Sequence, residues 1–160
     1  MKKLLTGLLL CIAIFSCTAC GGGDIDEVGI LEVESEIYTA AEIGDGINVT
    51  LEYFKKNFDG CTLRELQYIG DEKNNDYLDF ATRNGAEEVL VLTSTFDVDE
   101  SGGDGSLNPN DTYKHWKWIL VRRSDGEWEH VDHGALSGQG GPRQGLACRN
   151  QTWEAWEALR

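Results

Sequence analysis

The order of the elements along this chain predicts an α+β domain, in which a long helix packs on a curved antiparallel sheet. Three observations carry the prediction: a helix-start signal at Thr39, a strongly apolar strand over 88–98, and two further strands, 113–122 and 127–132, joined by a tight turn. Helices that precede and interrupt a run of antiparallel strands cover the sheet. We therefore expect the helices on one side of it.

The helix that begins after Thr39 is the best-marked element. Thr39 and Glu42 have the spacing of a capping box. Apolar residues then recur three or four positions apart, which places them on one helix face: Ile43, Ile47, Leu51, Phe54 and Phe58. Gly44 and Gly46 each cost about 1 kcal/mol relative to alanine, so we expect the first turns to fray or bend.

The sheet and a second, shorter helix follow. Residues 62–69 read as a short strand, and Asn75 or Asp76 can cap a helix over 77–81. The strand 88–98 is rich in Val, Leu, Thr and Phe. Its alternation predicts one fully buried face, and its other valines predict that the second face is partly covered: Val89 and Val91.

Residues 1–19 have the pattern of an export signal. Lys2 and Lys3 supply positive charge, and the apolar run over 4–15 is too short to span a bilayer. The residues that follow resemble the lipobox of bacterial lipoproteins, whose last cysteine is acylated before cleavage: Cys17-Thr18-Ala19-Cys20-Gly21. This resemblance implies a mature chain that starts at a lipid-bearing Cys20 and is anchored on the outer face of the cell membrane.

Two alternatives to this processing remain. Cys17 stands where the lipobox usually has an aliphatic residue, and it is the weaker candidate for the lipidated cysteine. An ordinary secretory signal, cleaved after Ala19 without lipidation, is the other alternative. Both export the protein. A lipoprotein of this kind carries at least two acyl chains, which hold a protein stably at a membrane.

The charge of the chain excludes several classes of partner. Removal of Lys2 and Lys3 with the signal takes the formal net charge from -14 to -16 on a mature chain of 141 residues. Such an acidic chain is unsuited to nucleic acid and to anionic lipid headgroups, which both require clustered cations. The segment 21–36 holds six acidic residues and no basic one, so residues 20–37 are expected to be a flexible acidic tether.

Two cysteines remain once the signal and the lipidated residue are set aside. Cys61 and Cys148 can form a disulfide in an exported protein, and the bridge would contribute roughly 2 to 4 kcal/mol to stability. Two unpaired thiols are the alternative, and the sequence does not distinguish the two states.

A family resemblance is carried by the run Phe96–Val121, with its Asp-, Gly- and Asn-rich loop followed by Tyr113, Trp116 and Trp118. Together with Phe58-Asp59-Gly60-Cys61 upstream and Trp128 downstream, it resembles a group of uncharacterised lipoproteins of clostridia-type Gram-positive bacteria. The resemblance implies an NTF2-like or cystatin-like α+β fold over residues 38–134. It implies no activity. Residues 135–160 depart from the pattern.

The loop after the strong strand partly mimics a calcium site. Oxygen-bearing side chains occupy positions 1, 3 and 5 before a glycine at position 6, as in an EF-hand loop: Asp97, Asp99 and Ser101, then Gly102. Asp104, the fourth candidate ligand, stands at position 8, which is hydrophobic in an EF-hand loop. Asn108 occupies the place of the bidentate glutamate, and a strand rather than a helix enters the loop. A soluble loop between two strands, with no cofactor, accounts for the same residues.

Motifs for catalysis are weak. His130 and His133 are three residues apart on a strand, so their side chains are expected to point in different directions. No third candidate ligand lies at a spacing typical of zinc sites. In the tail, a Gly-rich loop leads to a short helix with Trp153 and Trp156 on one face. We expect that helix to pack on its own domain rather than to form a partner-binding stripe.

Two functions from different classes follow. The favoured one is a non-enzymatic surface module that binds a ligand, a protein or a cell-wall component in an apolar pocket. The alternative is a small hydrolase or isomerase, in which titratable groups converge in that pocket. The orientation of Asp97, Tyr113 and His115 distinguishes them, because an enzyme of this fold would turn such groups inward.

Overall fold

The computed structural model describes residues 22–124 and 126–135, which form an α+β domain around one five-stranded mixed sheet. The elements follow in the order β1 (Gly29–Leu31), α1 (Ala40–Asn57), β2 (Cys61–Tyr68), α2 (Asp71–Asn74), a 3-10 turn (Asn75–Tyr77), α3 (Leu78–Arg83), β3 (Glu88–Val98), β4 (Thr112–Arg122) and β5 (Trp128–Gly134). Strands β2 to β5 form an antiparallel meander, and β1 lies parallel to β2 at the edge. The predicted α+β class is confirmed, but the sheet is not purely antiparallel.

The capping box predicted at the start of α1 is present. The side chain of Thr39 accepts a hydrogen bond from the backbone N–H of Glu42, and the Glu42 carboxylate accepts one from the Thr39 N–H at 2.9 Å. The helix then runs unbroken, so the expected fraying at the glycines is wrong. Gly46 is a packing site, because a Cβ there would lie 2.2 Å from Cδ2 of Leu90 in β3.

The sheet is covered on both faces, which corrects the expectation that the helices share one side. The face under α1 carries the larger core. It includes Phe54 of the helix, Phe58 at its C-terminal cap, and these residues of the sheet: Leu66, Leu92, Phe96, Trp118 and Leu120. The opposite face buries Val89, Val91, Ile119 and Val121 beneath Ala81 of α3. Strand β3 is apolar at odd and even positions alike because it lies between these two layers.

The short helices are held by a buried asparagine rather than by the predicted caps. Asn74 donates from Nδ2 to the carbonyl oxygen of Val89 at 3.0 Å and accepts from the N–H of Val91 at 2.9 Å. The helical segment starts at Asp71, and no side-chain cap bond is made at the start of α3. The predicted cap at Asn75 or Asp76 is wrong, because both residues lie inside the 3-10 turn.

The structure corrects the expected flexible tether over residues 20–37. The N–H of Gly23 donates to the carbonyl oxygen of Lys55 at 3.1 Å, and the N–H of Asp24 donates to that of Cys61 at 2.8 Å. Further along, β1 pairs with β2, and apolar side chains between the acidic residues pack on the core: Ile25, Val28 and Val33. The acidic residues occupy the solvent side of a bound segment, so the segment is part of the domain from Gly23 onward.

Several expectations fall on residues that lie outside the described part of the chain. These are the signal over 1–19, the lipidated Cys20, the partner Cys148 and the tail with Trp153 and Trp156. Within the described ranges, no helix combines the length and the apolar character needed to cross a membrane.

Candidate functional site

A groove of about 690 Å³ opens between α1 and the segment that precedes it. One wall is the stretch from Ile30 to Glu36, and the other is the first half of α1, from Ala40 to Ile47. Its volume is within the range of small-molecule sites in proteins. The first wall consists of the last residues of β1 and the stretch that leads from it into α1.

The wall formed by residues 30–36 is fixed to the sheet through Asp71. The Asp71 carboxylate accepts hydrogen bonds from Ser35 Oγ at 2.6 Å, from the Glu36 N–H at 2.8 Å and from the Tyr68 hydroxyl at 2.9 Å. These bonds, that from Ser35 first, lower the pKa of Asp71 and keep it anionic. Burial is the main cause that raises the pKa of Tyr68, so Tyr68 stays a neutral donor.

The groove is apolar inside and acidic at its rim. Apolar surface comes from Leu31, Val33, Ile43 and Ile47, and glutamates with exposed side chains stand along one wall: Glu32, Glu34 and Glu36. A site of this kind fits an apolar group joined to a cation, since the apolar part leaves water and the cation meets the carboxylates. No histidine, cysteine or lysine lines the groove among the described residues.

A second cluster lies between α1 and β5, and it overturns the expectation that His130 and His133 diverge. Their ring centroids are 5.2 Å apart, and the His130 ring lies 3.9 Å from that of Tyr53 on α1. The cause is an irregularity in the β4–β5 pairing, where Ile119 faces Asp132 but Leu120 faces His130. The extra residue, Val131, brings both imidazoles to the same face of the sheet.

Both imidazoles are held in the neutral form. Burial first, and the neighbouring His133 second, lower the pKa of His130 to about 4. Burial also lowers the pKa of His133. Nε2 of His130 is buried and has no hydrogen-bond partner among the described residues. The pair is therefore a half-buried packing feature between α1 and β5.

The residues of the calcium-like loop do not converge in the structure. Asp97 bonds to Arg64 Nε at 2.7 Å and to Thr112 Oγ1 at 2.6 Å, on the side of the sheet away from α1. Asp99 accepts from Ser101, and Asp104 accepts from the N–H of Ser106. Each carboxylate is bound by neighbouring protein donors. The described ranges contain no cluster of three or more acidic, histidine or cysteine side chains suited to a metal ion.

The three residues whose orientation was expected to distinguish an enzyme from a binding module, Asp97, Tyr113 and His115, also do not lie together. Tyr113 stacks on Phe96, with 5.2 Å between ring centroids, and its hydroxyl accepts from the Asn108 N–H. His115 is exposed and borders a small polar depression of about 70 Å³ on the opposite face. Together with Asp97, they occupy three separate places in the fold.

Cys61, one of the two cysteines that could form a disulfide, is buried at the start of β2. Its thiol donates weakly to the carbonyl oxygen of Asp59, at 3.6 Å. Burial is the main cause that raises the pKa of this thiol to about 11. A thiol with such a pKa is almost fully protonated at neutral pH and reacts slowly as a nucleophile.

Comparison with known proteins finds no matching family model, no matching curated protein and no matching solved structure. The groove is therefore described by its own residues alone. The sequence does not predict this groove, because the acidic composition of residues 21–36 favours a solvated tether there. The available signal was the alternation of apolar and acidic residues from Ile30 to Glu36, which is typical of a strand or extended wall with one buried side.

Proposed function

We propose that this chain is an exported lipoprotein, anchored through a lipid on Cys20, whose domain binds a ligand in the groove without chemical turnover. The apolar interior and acidic rim of the groove carry the proposal, because they select an apolar group joined to a cation. The domain has the NTF2-like or cystatin-like arrangement of a helix on a curved sheet, as the resemblance of residues 38–134 implies. A basic amphipathic partner or a cationic small molecule is the ligand class that fits.

The chemistry of the groove favours binding over catalysis. Its carboxylates are the three rim glutamates and Asp71, whose oxygens already accept three hydrogen bonds. A general base needs a free lone pair directed at the substrate and a pKa near the working pH. Asp71 has its pKa lowered, and its bonds hold the wall of the groove.

A matched set of probes tests the groove: hexylammonium, hexanol and hexanoate, which share an alkyl chain and differ in head-group charge. Titration of the ¹⁵N-labelled domain should give saturable shifts at Val33, Gly44 and Ile47 with hexylammonium, weaker shifts with hexanol and none with hexanoate. Equal affinity for all three probes would show that the acidic rim does not contribute to ligand selection. No shift with any probe would refute the groove as a site.

Two leucine substitutions on α1 supply the control. Gly44→Leu places a large side chain in the groove, where no atom lies within 4 Å of the added Cβ, and should abolish hexylammonium binding. Asn48→Leu adds the same side chain at an exposed position of the same helix and should leave binding unchanged. Loss of binding in both variants would show that the effect is not local to the groove.

The anchor is tested by mass spectrometry of the membrane fraction. Wild type should yield a mature chain that starts at Cys20 with a diacylglycerol adduct, and Cys20→Ser should lack that species. An unmodified chain in the medium would contradict the anchor and leave the groove proposal standing, because ligand binding does not depend on the lipid.

A further inference from the structure

We infer that the anchor holds the domain in one orientation, with the C-terminal end of α1 at the membrane and the groove directed away from it. The inference rests on the proposed lipidation of Cys20. It goes beyond the proposed function by naming the surface of the domain that faces the membrane and the side from which a ligand reaches the groove.

The chain is fixed to the domain almost as soon as it leaves Cys20. Gly23 bonds to the carbonyl oxygen of Lys55, in the last turn of α1. A Cβ at Gly23 would lie 2.5 Å from Cδ1 of Phe54 and 2.7 Å from its carbonyl oxygen. Only glycine allows this approach. The contact is continued by Asp24, which bridges to Thr62 at the start of β2.

The distance between the lipid and the domain is correspondingly short. Cys20 precedes Gly23 by three residues. An extended chain spans at most about 3.6 Å per residue, so the two Cα atoms are within about 11 Å. That reach is only slightly longer than one headgroup layer, which is roughly 5 to 8 Å thick, so the helix end beside Gly23 lies at the membrane surface.

The groove lies at the opposite end of the same helix. From Lys55 back to Gly44 there are eleven residues, which at 1.5 Å per residue is about 16 Å along the axis. The pairing with β2 also places the groove away from the anchored end. Asp24 pairs with Thr62, whereas Leu31, which lines the groove, pairs with Gln67. Gln67 is five residues, or about 16 Å, further along β2 than Thr62. Both paths run from the anchored end to the groove.

Charge does not set this orientation. The exposed residues around the anchored end include Lys55 and Lys56 but also Asp24, Asp26 and Asp59. Such a mixed surface has no strong attraction for anionic headgroups. The short covalent attachment sets the orientation, and the groove is open to a ligand from the aqueous side rather than from the bilayer.

The test uses the acylated full chain in phosphatidylcholine vesicles that contain a lipid with a headgroup quencher. A fluorescent amino acid is introduced at Lys56 or at Asp45, which are both exposed. They are eleven residues apart and so share one face of α1, because eleven residues make about three turns. Quenching should be several-fold stronger at position 56 than at position 45.

Two variants sharpen the result. Twelve Gly and Ser residues inserted between Gly21 and Gly22 should make quenching equal at both positions. Gly29→Ala changes the same segment without lengthening it. Its Cβ meets only the Arg64 carbonyl oxygen at an ordinary 3.5 Å, so this variant should keep the difference. Equal quenching in the unextended chain, with the acyl adduct confirmed by mass, would overturn the orientation and leave the lipid anchor intact. Absence of the adduct would overturn both.

Discussion

The imidazole of His130 lies against the ring of Tyr53, with 3.9 Å between centroids and 33° between the planes. The contact joins β5 to α1 across the larger core, and His133 completes the group 5.2 Å from His130. Two titratable rings thus serve as packing groups, and protonation of either places a charge where water is largely excluded.

Stability should therefore fall as the solution is acidified below neutral pH. The pKa of His130 is lowered to about 4 in the folded chain, whereas an unfolded histidine titrates near 6.5. Above about pH 7, His130 is neutral in both the folded and the unfolded chain, so its titration does not change the free energy of unfolding. Between about 6.5 and 4 the unfolded chain takes up the proton first, which favours unfolding by about 1 to 3 kcal/mol.

Urea unfolding at about pH 7.5 and pH 5.5 measures this loss above the range where most carboxylates titrate. His130→Phe keeps an aromatic ring without a titratable group and should reduce the pH dependence. A variant with the full wild-type slope would show that other groups are responsible.

The two glycines of the first helical turns should respond oppositely to alanine. At Gly44 the added Cβ meets nothing within 4 Å, so Gly44→Ala should stabilise by up to about 1 kcal/mol through helix propensity. At Gly46 it meets the fully buried Leu90, and Gly46→Ala should destabilise by about 1 to 3 kcal/mol through overpacking. Thermal melts of both variants decide the matter, and the same sign of change in the two would contradict the close approach of α1 to β3.

Arg122 is expected to matter more than a similar surface arginine. It bonds to Glu42 at 2.7 Å and to Glu88 at 2.5 Å, and its guanidinium lies 4.5 Å from the Trp128 ring centroid. Its side chain is only 14% exposed, and Arg122→Met should cost about 1 to 2 kcal/mol.

The matched control for Arg122 is Arg83, which pairs with Asp79 and lies over Phe80 with its side chain 59% exposed. Arg83→Met should cost at most about 0.5 kcal/mol, because solvent screens an exposed pair. Equal losses in chemical denaturation would show that burial does not strengthen the Arg122 network.

Asp71 is expected to act as a brace for the groove rather than as a ligand. Asp71→Ala removes the acceptor for Ser35, Tyr68 and the Glu36 N–H, so the Glu36 amide should exchange with solvent several-fold faster. Hexylammonium should then bind several-fold more weakly. Glu72→Ala, an exposed neighbour on α2, should change neither quantity.

The sequence predicted the elements whose signals are local. The capping box at Thr39, the strand 88–98 and the hairpin after it depend on spacing and alternation within a few residues, and the structure confirms them. The burial of Val89 and Val91 was also predicted, because valines off the main alternation indicate a strand covered on both faces.

Contacts between residues distant in sequence could not be predicted from the local patterns. The many acidic residues before Tyr38 make the composition of this segment typical of a solvated tether. In the structure, however, Ile25 and Val33 of the segment pack on the core. Likewise, strict alternation separates His130 from His133, and a single extra residue in the pairing reverses that outcome. A bulge leaves no dependable trace in one sequence, and the groove depends on the bound segment.

The parallel pairing of β1 with β2 has a consequence for the order of folding. The connection from β1 to β2 contains the whole of α1 and spans residues 32–60, whereas β3 and β4 are joined by residues 99–111. Closing the longer loop costs more chain entropy, so we expect β1 to join the sheet after β3 and β4 have paired. Until then β2 is an open edge, and during that interval it can accept the first strand of a second molecule in place of its own.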